Sequence, residues 1–163
     1  NILTDPVVVN LDRQEEMCRY PYVFMTSEGS FTFSDKNVET LREYLLRGGF
    51  IYADDCVLLQ KGDVFFRSFV SEMNRIFPDN QMQLIPNDHE IFNCFFKLDA
   101  TPHMQGVKHP AMGLFEKETG RLMAMVTSGD MHCGWVGFQN FSADMRQKAV
   151  QMGVNVVIYC LTH

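Results

Sequence analysis

Gly48-Gly49-Phe50-Ile51-Tyr52-Ala53-Asp54-Asp55-Cys56 decides how the chain is read. A glycine pair ends one element, a short apolar run follows, and the run stops on two acids and a thiol. Upstream, Ser34 is placed to cap a helix in which Val38, Leu41 and Leu45 form an apolar stripe, with Glu39/Arg42 and Glu43/Arg47 spaced for ion pairs. Gly48 suits the residue just past its end. Before that helix, Tyr22 to Thr26 is another apolar run, closed by Ser27-Glu28-Gly29-Ser30. Strand, helix, strand over about thirty residues predicts a right-handed βαβ unit and hence parallel pairing. Asp54, Asp55 and Cys56 then stand at the carboxyl end of a strand, where open α/β sheets bind ligands.

Working toward the C-terminus, Asp63 is positioned as the cap of a helix whose buried face is Phe66, Phe69, Val70, Met73 and Phe77, stopped by Pro78. Met82 to Ile85 reads as a short strand. Residues 87–112 carry little periodicity and contain Asp88-His89-Glu90 and Pro102-His103-Met104-Gln105-Gly106; a long irregular segment of this kind is the usual form of a functional loop. Gly113 to Phe115 and Arg121 to Thr127 flank Glu118-Thr119-Gly120 as a β-hairpin. Ser142 caps a last helix that Gly153 is expected to terminate, and Val154 to Leu161 is expected as a closing strand. Toward the N-terminus, Val7-Val8-Val9 suggests an edge strand within a lead-in over 1–19, leaving 20–163 as a single α/β domain.

Bulk properties narrow the function classes. The 163 residues suffice for one core. Hydrophobic residues at 46% and charged residues at 21% describe a globular chain. A net charge of −6 without a basic cluster argues against nucleic acid as a partner. The longest apolar runs are too short to span a membrane. The chain opens on Asn1 in place of a methionine, as a processed protein or a piece of a longer one does. Fourteen Phe and eleven Met read as core filling. Five cysteines without CxxC spacing give neither a disulfide framework nor a zinc ribbon; Cys94 and Cys160 read as small core residues.

The predicted carboxyl edge gathers Glu28, Asp54, Asp55, Cys56, Asp130, His132 and Cys133, with the segment bearing His103 folded over them and Thr162-His163 nearby. Three chemistries fit. A divalent metal, zinc or another transition ion, would take Asp54, Asp55, His103 and His132 as ligands, with a thiolate as a further donor. A nucleophilic Cys56 would use His103 or His132 as base, but its flanks Asp54 and Leu58 are not the small residues of a tight elbow, and the two acids disfavour a thiolate. Alternatively the acids serve loop amides and Trp135 packs beneath the loop. As a ligand site the edge would use Glu28, Asp54, Asp55, His103, Asp130 and Trp135.

Several motifs together resemble a bacterial family of domains of unknown function. They are Tyr20-Pro21-Tyr22-Val23-Phe24-Met25-Thr26, Phe33-Ser34-Asp35, Leu45-Leu46-Arg47-Gly48-Gly49-Phe50 with Ala53 to Cys56, Asp63 to Arg67, Pro102 to Gly106, Ser128 to Trp135, and Met152 to Asn155. That family is similar to trehalose-utilisation-type (ThuA-like) domains and, more distantly, to class I glutamine amidotransferases. The resemblance implies a flavodoxin-like three-layer sandwich with a mainly parallel sheet and a β-hairpin insertion, and members that are exported or envelope-associated. It supplies no reaction, and the amidotransferase Gly-x-Cys-x-Gly elbow is absent. The resulting expectation is a domain that binds a small polar ligand, a carbohydrate by analogy of fold. A metal- or cysteine-dependent hydrolase at the same edge and a structural module of an envelope assembly are the alternatives.

Overall fold

The computed structural model describes residues 5–57, 62–137 and 140–163. In chain order the elements are α1 (Gln14–Met17), β1 (Tyr22–Ser27), α2 (Asp35–Leu46), β2 (Phe50–Asp55), α3 (Val64–Ile76), β3 (Gln83–Leu84), a 3-10 turn (Glu90–Phe92), β4 (Met112–Phe115), β5 (Leu122–Thr127), α4 (Met131–Trp135) and α5 (Ala143–Thr162). The strands form one sheet in the order β1-β2-β5-β4-β3. β1, β2 and β5 run parallel, whereas β4 pairs antiparallel with β5 and with β3. The sheet is therefore mixed, half parallel and half antiparallel by pairing. β4 and β5 are joined through a turn with Gly120 at φ 75°, and β5 is a central strand.

The two faces of the sheet carry separate cores. Ile51, Ala53, Ala124 and Val126 pack with Leu41, Tyr44 and Leu45 of α2 and with Phe65, Phe69 and Met73 of α3. Phe50, Tyr52 and Met125 pack on the other face with Met131 of α4 and with Ala149, Met152, Val156 and Tyr159 of α5. Each strand supplies both cores because successive side chains leave opposite faces. Met17 of α1 is fully buried in the first core. Residues 7–9 form no strand, and Val7 and Val8 are exposed. Among the described residues no helix is long and apolar enough to cross a membrane.

The α2 cap is as the residues suggest: the Asn37 amide donates to Ser34 Oγ at 3.1 Å, and the Ser34 amide donates back to Asn37 Oδ1. The ion pair Glu43–Arg47 forms as well. Asp63 differs, making no cap bond with its side chain. Its carboxylate pairs with Arg67 and His109, and the α3 amide of Phe66 donates instead to Asp55 Oδ2, 2.9 Å away.

The clearest departure lies at the C-terminus. α5 runs unbroken through Gly153, and the expected closing strand is its second half. Val154, Val156, Val157 and Ile158 resemble a strand by composition. Yet Ala149, Met152, Val156 and Tyr159 recur at steps of three and four and bury one helical stripe. Gly153 is a contact residue here: a Cβ on it would meet the Trp135 indole at 3.2 Å. Asn155, fully buried in the same helix, replaces a strand neighbour for Phe96, accepting from its amide and donating to its carbonyl, each at 2.8 Å. Cys160 accordingly lies in a helix.

Candidate functional site

β1, β2 and β5 end side by side, with Ser27 opposite Asp55 and Asp54 opposite Thr127. The pleat separates the two neighbouring acids. Asp54 leaves on the face of Phe50 and Tyr52, toward α4; Asp55 leaves on the face of Ile51 and Ala53, toward α3.

Asp54 is 0% exposed and accepts three hydrogen bonds. Thr127 Oγ1 donates to Oδ1 at 2.7 Å, while the backbone amide and Nδ1 of His132 donate to Oδ2 at 2.9 and 2.8 Å. Because the Thr127 hydroxyl gives its proton to Asp54, the Tyr52 hydroxyl, 3.0 Å away, must donate to Thr127. The chain Tyr52–Thr127–Asp54–His132 thus runs from the core to the edge, each donor polarised toward the carboxylate. It also fixes the His132 tautomer and leaves Nε2 as the ring atom with a free lone pair. Burial lowers the His132 pKa, but the Asp54 hydrogen bond and the charges of Asp54, Asp130 and Asp55 outweigh it, and the net shift is upward.

Asp130 begins α4 in a left-handed conformation (φ 52°, ψ 41°), which aspartate tolerates better than most residues. It is 1% exposed. Oδ2 accepts from Gln105 Nε2, a side chain that also donates to the Val57 carbonyl at 3.1 Å. Oδ1 has no hydrogen-bond partner. It lies 3.4 Å from His132 Nδ1, but that N–H is directed to Asp54. An orphaned buried carboxylate oxygen costs about 1–3 kcal/mol or more.

Cys56, Asp130 and His132 each offer one donor atom, and these atoms lie within 4.8 Å of one another. Cys133 Sγ stands 4.0 Å from His132 Nε2. Burial, reinforced by Asp130 and the other acids, pushes the Cys56 thiol up to about 11. Burial and the neighbouring Asp130 carboxylate push Cys133 up to about 12. Neither thiol is poised as a nucleophile at neutral pH.

The remaining candidates are placed as follows. Asp55 caps α3 and is buried; its pKa is raised to about 6, chiefly by that burial. His103 sits in the loop pressed on Gly129, whose added Cβ would lie 2.9 Å from the Pro102 carbonyl and 3.2 Å from His103 Cα. The Met104 amide donates to the Gly129 carbonyl at 2.8 Å, holding that loop over the edge. Burial lowers the His103 pKa. Glu28 is exposed at the end of β1. Trp135 donates from Nε1 to the Ala149 carbonyl at 2.9 Å and packs on Phe24, so its polar atom is committed to α5. Thr162 and His163 do not join the edge: His163 stacks on Tyr159, whose hydroxyl accepts from the Leu122 amide at the amino end of β5. Leu58 lies outside the described residues.

Thr127, Gln105 and Tyr52 carry roles that their positions in the sequence do not announce. The signal for Thr127 was a hydroxyl ending an apolar strand; aligning β2 with β5 puts it opposite Asp54. His109 also gains a place, stacked on Phe66 and bonded to Asp63, with its amide donating to Ser128 Oγ. A separate cleft of about 630 Å³, lined by Val8, Tyr20, Val23, Met25 and Leu41 among others, is mostly apolar and lacks the acid–imidazole chemistry of the edge.

No curated protein matches the chain closely enough to lend it an activity. A family model described as a domain of unknown function (DUF4159) matches residues 1–161, nearly the whole length, and the chain belongs to that family.

Proposed function

We propose that the protein binds a small polar ligand at the carboxyl edge of β1, β2 and β5, where Asp54, Asp130, His132 and Cys56 meet under the loop bearing His103. The observation that carries this reading is the Asp130 Oδ1 acceptor, buried and without a partner beside an imidazole already oriented by Asp54. Native interiors leave few such atoms unpaired unless something else completes them. Helices on both sheet faces and the parallel half of the sheet support a flavodoxin-like, amidotransferase-like arrangement, in which this edge is the ligand site. The trehalose-utilisation-type resemblance favours a carbohydrate. Calorimetric titration with a panel of neutral mono- and disaccharides tests the reading. One sugar is expected to bind saturably, and Asp130→Asn to weaken it at least about tenfold, the worth of one charged hydrogen bond. A panel without a binder, or equal binding by the variant, would sink it.

A second reading, hydrolysis at the same edge, is favoured by one observation. The buried Asp54–His132 pair is the arrangement that orients an imidazole for proton transfer or metal ligation. The raised thiol pKa values favour a metal-assisted over a cysteine-dependent version.

A further inference from the structure

We infer that Cys56, Asp130 and His132 hold one divalent transition cation of the zinc class. The inference deepens the reading of the carboxyl edge as the functional site and rests on it. Three independent features converge. First, a thiol sulfur, a carboxylate oxygen and an imidazole nitrogen lie within 4.8 Å of one another, the thiol from the end of β2 and the other two from the first turn of α4. Second, Asp130 is 1% exposed and its Oδ1 is unpartnered, while Oδ2 is engaged by Gln105. That carboxylate is therefore fixed in orientation with one acceptor unused. Third, Asp54 holds His132 through Nδ1, which leaves Nε2 to donate to a metal. A carboxylate behind a ligating imidazole is the usual outer shell of such a site.

Charge supports the same conclusion. Asp54, Asp55 and Asp130 are all buried at this edge. Among the described residues, none of the three is paired with Lys or Arg. A divalent cation would offset that concentration of negative charge and displace the Cys56 proton on coordination. Sulfur, nitrogen and oxygen donors together suit zinc or a neighbouring transition ion and not magnesium or calcium, which take oxygen sets. Three protein ligands leave a fourth tetrahedral position open to a polar ligand or water, as catalytic and ligand-binding zinc sites do. Asp54 and Asp55, expected as ligands from the sequence, act instead behind the site and at the α3 cap.

The test uses the full chain, stripped with a chelator and titrated with cobalt(II) as a spectroscopic stand-in for zinc. One equivalent is expected to bind, with a thiolate-to-cobalt charge-transfer band in the near ultraviolet. Cys56→Ser should abolish the band, Asp130→Asn should weaken binding at least about tenfold, and Cys133→Ser should keep the band. Failure to take up cobalt at micromolar concentration, or a band that survives in Cys56→Ser, overturns the assignment. A band lost in Cys133→Ser overturns the open three-ligand site. Melting curves without metal identify any variant that fails to fold, and Cys56→Ser, a one-atom exchange, keeps the test decisive. The sugar panel, run on stripped and cobalt-loaded protein, separates the two proposals. Sugar binding without cobalt binding removes only the metal, and cobalt binding without a sugar removes only the carbohydrate reading.

Discussion

Neighbouring residues at the end of β2 have different tasks because a strand alternates its faces. Asp54 is drawn into a hydrogen-bonded chain with Thr127 and His132, whereas Asp55 receives an α3 amide. Thr127 is the simplest place to test the chain, since it touches no exposed group. Thr127→Val keeps the shape but leaves Asp54 Oδ1 and the Tyr52 hydroxyl without a partner. The expected loss is about 1–3 kcal/mol, read by urea denaturation, with Thr127→Ser recovering most of it. An unchanged midpoint in the valine variant would mean that water replaces the hydroxyl and that the chain is not closed.

At the scale of elements, α5 is the piece whose identity was hardest to foresee. It is tied to the irregular segment through Asn155, whose amide group pairs with both backbone groups of Phe96, and Cys94 Sγ donates to its backbone carbonyl at 3.2 Å. Asn155→Ala would strand the Phe96 amide and carbonyl. We expect a cost of about 1–3 kcal/mol and faster amide exchange at Phe96, while exchange in β1 and β2 stays slow. Uniformly faster exchange would show instead that α5 and the sheet open together.

For the whole molecule, acid sensitivity is set partly far from the candidate site. His89 lies against Phe115 and Tyr159, and its Nδ1 accepts from the Ile91 amide at 3.2 Å. Burial lowers its pKa from the ordinary 6.5; His163 acts in the same direction, against Glu90 and Asp88. The unfolded chain therefore binds this proton more readily than the folded one. The sign is that stability is undiminished above the unfolded value and falls as pH drops through about 6.5 toward the lower folded value. His132 and Asp55, whose pKa values are raised, act in the opposite sense in this window. The His89 contribution is therefore read as a difference: the denaturation midpoint of wild type relative to His89→Asn, which keeps a capping acceptor without the titration, is expected to decline as pH falls across it. A slope identical in wild type and variant would place the proton uptake elsewhere.

Local pattern determined much of the chain by itself. The βαβ unit from Tyr22 to Asp55, the Ser34 and Ser142 caps, the apolar face of α3 and the hairpin turn at Gly120 all follow from spacing and turn chemistry, which act over a few residues. The edge bearing Asp54, Asp130, His132 and Cys56 was also legible, because parallel strands must end together. Only the tertiary structure decided the rest. Val154 to Leu161 is helix because its buried stripe packs on the sheet, a contact that outweighs β-branched composition. Gly153 answers to Trp135 rather than to a helix end. Which acids face the site, which oxygen is left unpaired and which thiol joins the imidazole depend on pleat phase and on residues far apart in the chain, such as Asp54 and His132 at a separation of 78. No local pattern encodes such a meeting, since it exists only once the sheet has formed.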